Sequence, residues 1–193
     1  ILQNTDKNKN GYTPKLENKY CMRCFRITNY GDFTATKTEK NNEKIISTVN
    51  KANEYCFFLV DATNINREAI TIYNSIKTRK CLLLTKIDLL PLNIKVNNYL
   101  KNFKEVYQIK EEVYLLSSLK KVNVNKILKI MDDLNLKKAY VLGCTNAGKS
   151  TLINTMLNNP TITTSRVPNT TLDFINLYIE DKILTDTPGF SLK

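Results

Sequence analysis

Apolar residues follow two rhythms along this chain. Tyr55-Cys56-Phe57-Phe58-Leu59-Val60 is a continuous apolar run closed by Asp61, and Lys80 to Thr85, Val113 to Leu116 and Ala139 to Leu142 have the same character. Runs this short and unbroken predict strands buried on both faces. Between them lie stretches with apolar residues at helical spacing. These are residues 39–53, carrying Ile45, Ile46 and Val49, then Asn66 to Lys77, residues 94–105, Val124 to Leu134, and Thr151 to Leu157. Strands alternating with amphipathic helices predict an α/β domain with a parallel sheet covered on both sides. Near the end the rhythm changes: within Thr171 to Ile179, Ile175, Leu177 and Ile179 alternate with Asn176 and Tyr178, and Glu180-Asp181 turns the chain into Lys182 to Thr185. That pattern predicts an antiparallel hairpin on an otherwise parallel sheet.

The 193 residues suffice for one good core and a small appendage. No apolar run approaches the length of a membrane span and no signal-peptide pattern is present, so a soluble protein without a membrane span is expected. The chain opens at Ile1 without methionine, which suggests a fragment or a processed chain.

Composition sharpens the choice of partner. Net charge is +11, and with 19 basic and 10 acidic residues through Lys110, +9 of it lies in that stretch. A basic front half suits a polyanion, above all RNA, while solubility or a codon-biased Lys and Asn content accounts for the charge equally well. Five cysteines and no histidine exclude histidine as base or ligand. Cys56, Cys81 and Cys144 read as small buried hydrophobes, and no secreted disulfide framework is suggested, so a reducing compartment fits.

Cys21-Met22-Arg23-Cys24 forms a CxxC knuckle after a polar stretch. Cys21 and Cys24 supply two thiolates where a structural zinc needs four ligands. Either a second pair lies upstream, or this is a surface turn with two free thiols.

The chemistry centres on Gly143-Cys144-Thr145-Asn146-Ala147-Gly148-Lys149-Ser150, which fits GxxxxGK[ST] between a strand and a helix. In such a loop the amides of Thr145 to Thr151 and the helix N-terminus meet phosphates, Lys149 reaches the outer two, and the Ser150 hydroxyl can hold Mg²⁺. Asp186-Thr187-Pro188-Gly189 matches DxxG, whose acid holds the Mg²⁺ water shell and whose Gly189 amide reaches a γ-phosphate. Pro168-Asn169-Thr170-Thr171 lies between the two, with Thr171 the expected Mg²⁺ ligand and Thr170 the alternative. Lys149, Thr171 and Gly189 make the expected catalytic set. Thr85-Lys86-Ile87-Asp88 resembles the [NT]KxD element that reads guanine: the Asp88 carboxylate can accept from N1 and N2 of that base, and the Lys86 stem can cover the ring. Ser117-Ser118 has the form of the supporting loop, with the Ser118 amide on the guanine oxygen.

These elements stand in an unusual order. The base-reading and supporting loops precede the phosphate loop, the threonine and DxxG, which is the arrangement a circular permutation produces without disturbing the site. Taken together, this order, Cys144 to Thr151, Asp88-Leu89-Leu90-Pro91, Pro168 to Asp173 and Cys21 to Arg26 resemble the YqeH-type circularly permuted GTPases. The resemblance implies a P-loop GTPase domain over residues 46–193, C-terminally incomplete, preceded by a partial zinc-finger-like segment over residues 1–45. It implies GTP/GDP and Mg²⁺ as cofactors, and a switch enzyme that assists small ribosomal subunit assembly through ribosomal RNA or protein contacts. Relatives of this kind work in the bacterial cytoplasm, mitochondria or plastids. An RNA-binding scaffold with a decayed nucleotide site is the alternative, and an ATP-using P-loop enzyme the third reading. Phe190 stands where many GTPases place a water-orienting glutamine, which implies slow intrinsic turnover. Asn146 matches an asparagine that seats K⁺ in related GTPases with this hydrophobic replacement; stabilising the loop is its other role.

Overall fold

The computed structural model describes residues 38–158, 164–168 and 174–192. The helices are α1 (Thr38–Ala52), α2 (Arg67–Ser75), α3 (Val96–Tyr107), α4 (Lys126–Asp133) and α5 (Lys149–Leu157). The strands are β1 (Tyr55–Asp61), β2 (Lys80–Thr85), β3 (Val113–Leu115), β4 (Lys138–Gly143), β5 (Thr164–Pro168), β6 (Ile175–Ile179) and β7 (Lys182–Asp186). They form one seven-stranded sheet in the order β3-β2-β1-β4-β7-β6-β5. Pairing is parallel from β3 across to β7 and antiparallel for β7 with β6 and β6 with β5.

Each apolar strand serves two cores because successive side chains leave opposite faces. From β1, Cys56, Phe58 and Val60 join Ile45 and Val49 of α1, Ile70 and Tyr73 of α2 and Phe103 of α3. Phe57 and Leu59 join Ile127, Ile130 and Met131 of α4 and Leu152, Ile153 and Met156 of α5. A three-layer α/β sandwich follows from that alternation. The elements lie where the hydrophobic pattern predicts, with ends shifted by a few residues. α2 is capped by Asn66, whose Oδ1 accepts from the Glu68 amide at 2.7 Å. α1 runs across residues 45 and 46, where the sequence reading divides the chain, and Ile45 and Val49 are both fully buried.

Two differences from the sequence expectation concern the region before DxxG. The strand expected from Thr171 begins at Ile175, residues 169–173 lying outside the described part. The edge strand β5 was not expected at all: Thr-Ser-Arg-Val-Pro is short and polar, as edge strands often are, and it pairs with β6 from Thr164↔Ile179 to Pro168↔Ile175.

The parallel strands set the site. In a sheet of this kind ligands bind beyond the carboxyl ends of the strands. Here β1 ends at Asp61, β2 at Thr85, β4 at Gly143 and β7 at Asp186, so the base-reading loop, phosphate loop and DxxG leave the same edge.

Phe58 lies at the middle of the α1 and α2 side, fully buried, with Tyr73 and Phe190 rings at 5.5 and 5.9 Å. Phe58→Ala is expected to lower stability by about 3–5 kcal/mol, seen as a fall in the urea midpoint. Tyr178→Ala, at a side chain 39% exposed on β6, should change stability by less than about 0.5 kcal/mol in the same measurement.

Candidate nucleotide site

The turn between β4 and α5 depends on its glycines. A Cβ on Gly143 would stand 3.0 Å from the Leu59 carbonyl oxygen, so a side chain here would crowd β1. Gly148 has φ +86°, in the left-handed region that side chains resist. Asn146 also has a positive φ, 66°, which asparagine tolerates better than most residues. Its side chain and that of Thr145 are exposed, as are Ser150 and Thr151 in the first turn of α5.

Lys149 is a cation with only 9% exposure. Its Nζ donates to Asp186 Oδ1 at 2.6 Å and to the Thr187 carbonyl at 2.5 Å, both at the end of β7. The phosphate loop and DxxG thus share one buried ammonium, and a phosphate entering the loop would compete for it with charge-assisted bonds of its own. The Ser150 hydroxyl and the Asp186 carboxylate offer only oxygens, a donor set that fits a hard cation such as Mg²⁺. Among the described residues no group of three or more His, Cys, Asp or Glu side chains gathers. Thr171, its alternative Thr170, and Cys21 and Cys24 lie outside the described residues.

The base-reading loop is tied to everything around it. Thr85 is 2% exposed, and its hydroxyl donates to Ala147 O in the phosphate loop at 2.7 Å, with Val60 O at 3.2 Å as the weaker acceptor. Lys86 takes a left-handed conformation, φ 58°, and its Cε lies 3.9 Å from where a Gly148 Cβ would be. The lysine stem therefore runs beside the phosphate loop. Asp88 is half-buried, and its Oδ1 accepts from the Ser117 hydroxyl. That hydroxyl accepts in turn from the Lys120 amide at 3.1 Å, and the Ser117 main chain is paired with Val122. Ser117 is fully buried, so its side chain acts through Asp88, while Ser118 next to it is partly exposed. The Ile87 amide donates to Leu116 O at 3.4 Å and joins the two loops.

One residue escapes sequence reasoning. Asp61, the acid that closes β1, pairs through Oδ2 with Lys86 Nζ at 2.6 Å. Its Oδ1 accepts from the Thr63 amide at 2.8 Å and the Thr63 hydroxyl at 2.7 Å. Burial pushes this carboxyl upward, but the bonds from Lys86 and Thr63 outweigh it and hold the group below the usual carboxylate range. In the parallel register Asp61 stands beside Thr85, and an acid at that position next to a strand that continues into lysine is the signal that could have found it.

Phe190 belongs to the buried core beside Cys144 of the phosphate loop. Its ring is fully buried and stacked on Phe58 at 5.9 Å and 18°. Cys144 is buried with its thiol pushed up to about 11 by burial, so it offers no thiolate at neutral pH; Cys56 and Cys81 are likewise buried and free.

A family profile described as 50S ribosome-binding GTPase matches residues 138–193. YqeH of Bacillus subtilis is 31% identical over 97% of the chain, and the chain spans 56% of that protein, about half its length. GTPase Era of Mycoplasma genitalium is 42% identical over 31% of this chain and 22% of its own. The crystal structure of YjeQ from Thermotoga maritima superimposes with a TM-score of 0.51 at 16% identity, covering 72% of this chain and 48% of that one.

If Asp61 positions the lysine over the base, Asp61→Ala should weaken GDP binding about three- to ten-fold, the loss of roughly one charge-assisted hydrogen bond. Isothermal titration measures it. Because the Asp61 carboxyl titrates below its ordinary value, its contribution is complete above the ordinary carboxylate range and is lost only as pH falls through the lowered value.

Proposed function

The chain belongs to the circularly permuted P-loop GTPases of the YqeH type, and from that premise we propose that it binds GTP and GDP and hydrolyses GTP as a switch. The Thr85 hydroxyl on Ala147 O carries this reading. It fastens the guanine-type loop to the phosphate loop, so that Asp88 and Lys149 face one ligand. Asp88, with one oxygen held by Ser117, selects the base; Lys86 covers it; Ser118 meets its oxygen. Thr145 to Thr151 cradle the phosphates and Lys149 neutralises them.

Hydrolysis transfers the γ-phosphoryl group to water: a bond forms from the water oxygen to phosphorus, the bridge to GDP breaks, and the proton leaves with the phosphate. Ser150, Asp186 and Thr171 would hold Mg²⁺, which supplies charge neutralisation across the phosphates. The Gly189 amide reads the γ-phosphate. With the Phe190 ring buried in the core, that residue orients no water, and turnover is slow. Asn146 would hold K⁺, which would supply an added positive charge beside the phosphates.

The reading of partner and place is supported by the family profile, whose description is 50S ribosome-binding GTPase. The excess of lysine and arginine suits ribosomal RNA. We assign the protein to small-subunit assembly in a compartment where ribosomes form. Cys21 and Cys24 then belong to a zinc-binding segment within residues 1–45 that serves the same contact.

A competition series with GDP, GTP and ATP, with and without Mg²⁺, tests the core of this. GTP and GDP should compete at least about tenfold better than ATP, and Lys149→Ala should abolish the difference between bound and free signal. Failure to bind GDP would leave an RNA-binding scaffold as the better reading, and ATP competing as well as GTP would make it an ATP enzyme. Replacing K⁺ by Na⁺ should cut GTP turnover several-fold, and an unchanged rate removes the role of Asn146. Co-sedimentation with separated subunits distinguishes small from large: GTP-dependent migration with the large subunit would overturn that assignment.

A further inference from the structure

The segment after Gly189 is held from two sides. Toward the phosphate loop, the Phe190 amide donates to Gly143 O at 3.0 Å, and the Phe190 carbonyl accepts from the Thr145 amide at 2.9 Å and the Thr145 hydroxyl at 3.1 Å. Toward α1, the Asn42 side-chain amide donates to Ser191 O at 2.9 Å, and the Ser191 amide donates to Asn42 Oδ1 at 3.3 Å. A carboxamide carries a donor and an acceptor side by side, so Asn42 makes on Ser191 the pair of bonds a neighbouring strand would make. Beneath this clamp, Phe190 shares one core cluster with Ile45 and Val49 of α1, and Leu192 packs against it.

From this arrangement we propose that Asn42 is a positioning residue for the γ-phosphate-sensing loop, fixing Ser191 and with it the Gly189 amide against the phosphate loop. The inference rests on the GTP-switch reading and adds to it a residue from a helix 149 positions away in sequence. Gly189 has little freedom of its own. A Cβ there would meet Cα and N of Thr145 at 3.3 Å, so the place of its amide depends on where the following residues are anchored. Of the two nucleotides only GTP carries the phosphate that Gly189 reads. Loss of the clamp therefore acts on GTP and spares GDP, whose phosphates engage Lys149 and the loop alone. Linkage makes the relation reciprocal: a γ-phosphate that shifts Ser191 also shifts its grip on α1.

The test compares wild type, Asn42→Ala and Asn42→Asp by titration with GDP and with a non-hydrolysable GTP analogue. Asn42→Ala should weaken the analogue about three- to ten-fold and leave GDP affinity and the thermal midpoint nearly unchanged. Asn42→Asp keeps the side chain's size but sets a carboxylate oxygen against Ser191 O. It should weaken the analogue at least as much, which a role in packing alone would not produce. Equal losses for both nucleotides, no loss for either, or an aspartate variant that behaves as wild type would each overturn the proposal. A wild-type chain that binds neither nucleotide overturns the GTP-switch reading itself, whereas normal nucleotide discrimination with an indifferent position 42 overturns only the role of Asn42.

Discussion

The site hangs on one buried hydroxyl. Thr85 has a single proton to donate, and the 2.7 Å contact to Ala147 O takes it in preference to the 3.2 Å contact to Val60 O. That bond runs from the carboxyl end of β2 to the phosphate loop beyond β4, over the end of β1 that lies between them in the sheet. Two segments 62 residues apart are thereby fastened to each other. Around it the other contacts fall into place: Lys86 beside Gly148, Asp61 on Lys86, Ser117 on Asp88. A buried carbonyl at Ala147 left without this partner would carry a desolvation penalty, so the arrangement of the two loops is bound up with the stability of the domain as well as with its ligand.

Permutation matters less to this pocket than the order of the motifs suggests. What brings the loop after β2 and the loop after β4 to one edge of the sheet is the parallel pairing of β1 with β2 on one side and β4 on the other. Pairing depends on which apolar strands lie side by side, and the position of the chain's ends does not enter. The permutation instead changes what DxxG is attached to. In this chain Gly189 is followed by residues that bond to Gly143 and Thr145 on one side and to Asn42 on the other, so the first helix of the domain stands next to the DxxG segment in space.

Much of this was legible in the residues. The four apolar strands could be read because burial on both faces leaves no polar alternation to confuse them with amphipathic helices, and the glycine and lysine pattern of the phosphate loop has few other uses. The hairpin from Ile175 to Asp186 was legible from period-two alternation. β5 was not, because an edge strand needs little apolar surface and Thr-Ser-Arg-Val-Pro resembles a polar loop. Asp61 was visible as an acid at a strand end, but its role depends on the β1 and β2 register, and register between distant strands cannot be counted along a chain. Asn42 was less visible still. An asparagine on the polar side of a helix looks like any solvated residue until the main chain of Ser191 is set against it.

Phe190 shows how a missing catalytic group and a structural gain can be one event. A glutamine at that position would carry an amide into a cluster of Phe58, Tyr73, Ile45 and Val49, or would have to turn outward and leave a void there. The phenyl ring fills the space and stacks on Phe58, which locks the residue after Gly189 into the core. Its main chain then serves as the anchor: the amide binds Gly143 and the carbonyl binds Thr145 twice. A ring that cannot orient water thereby holds the segment after Gly189 in register with the phosphate loop, so what position 190 gives up in polar chemistry it returns as a fixed main chain.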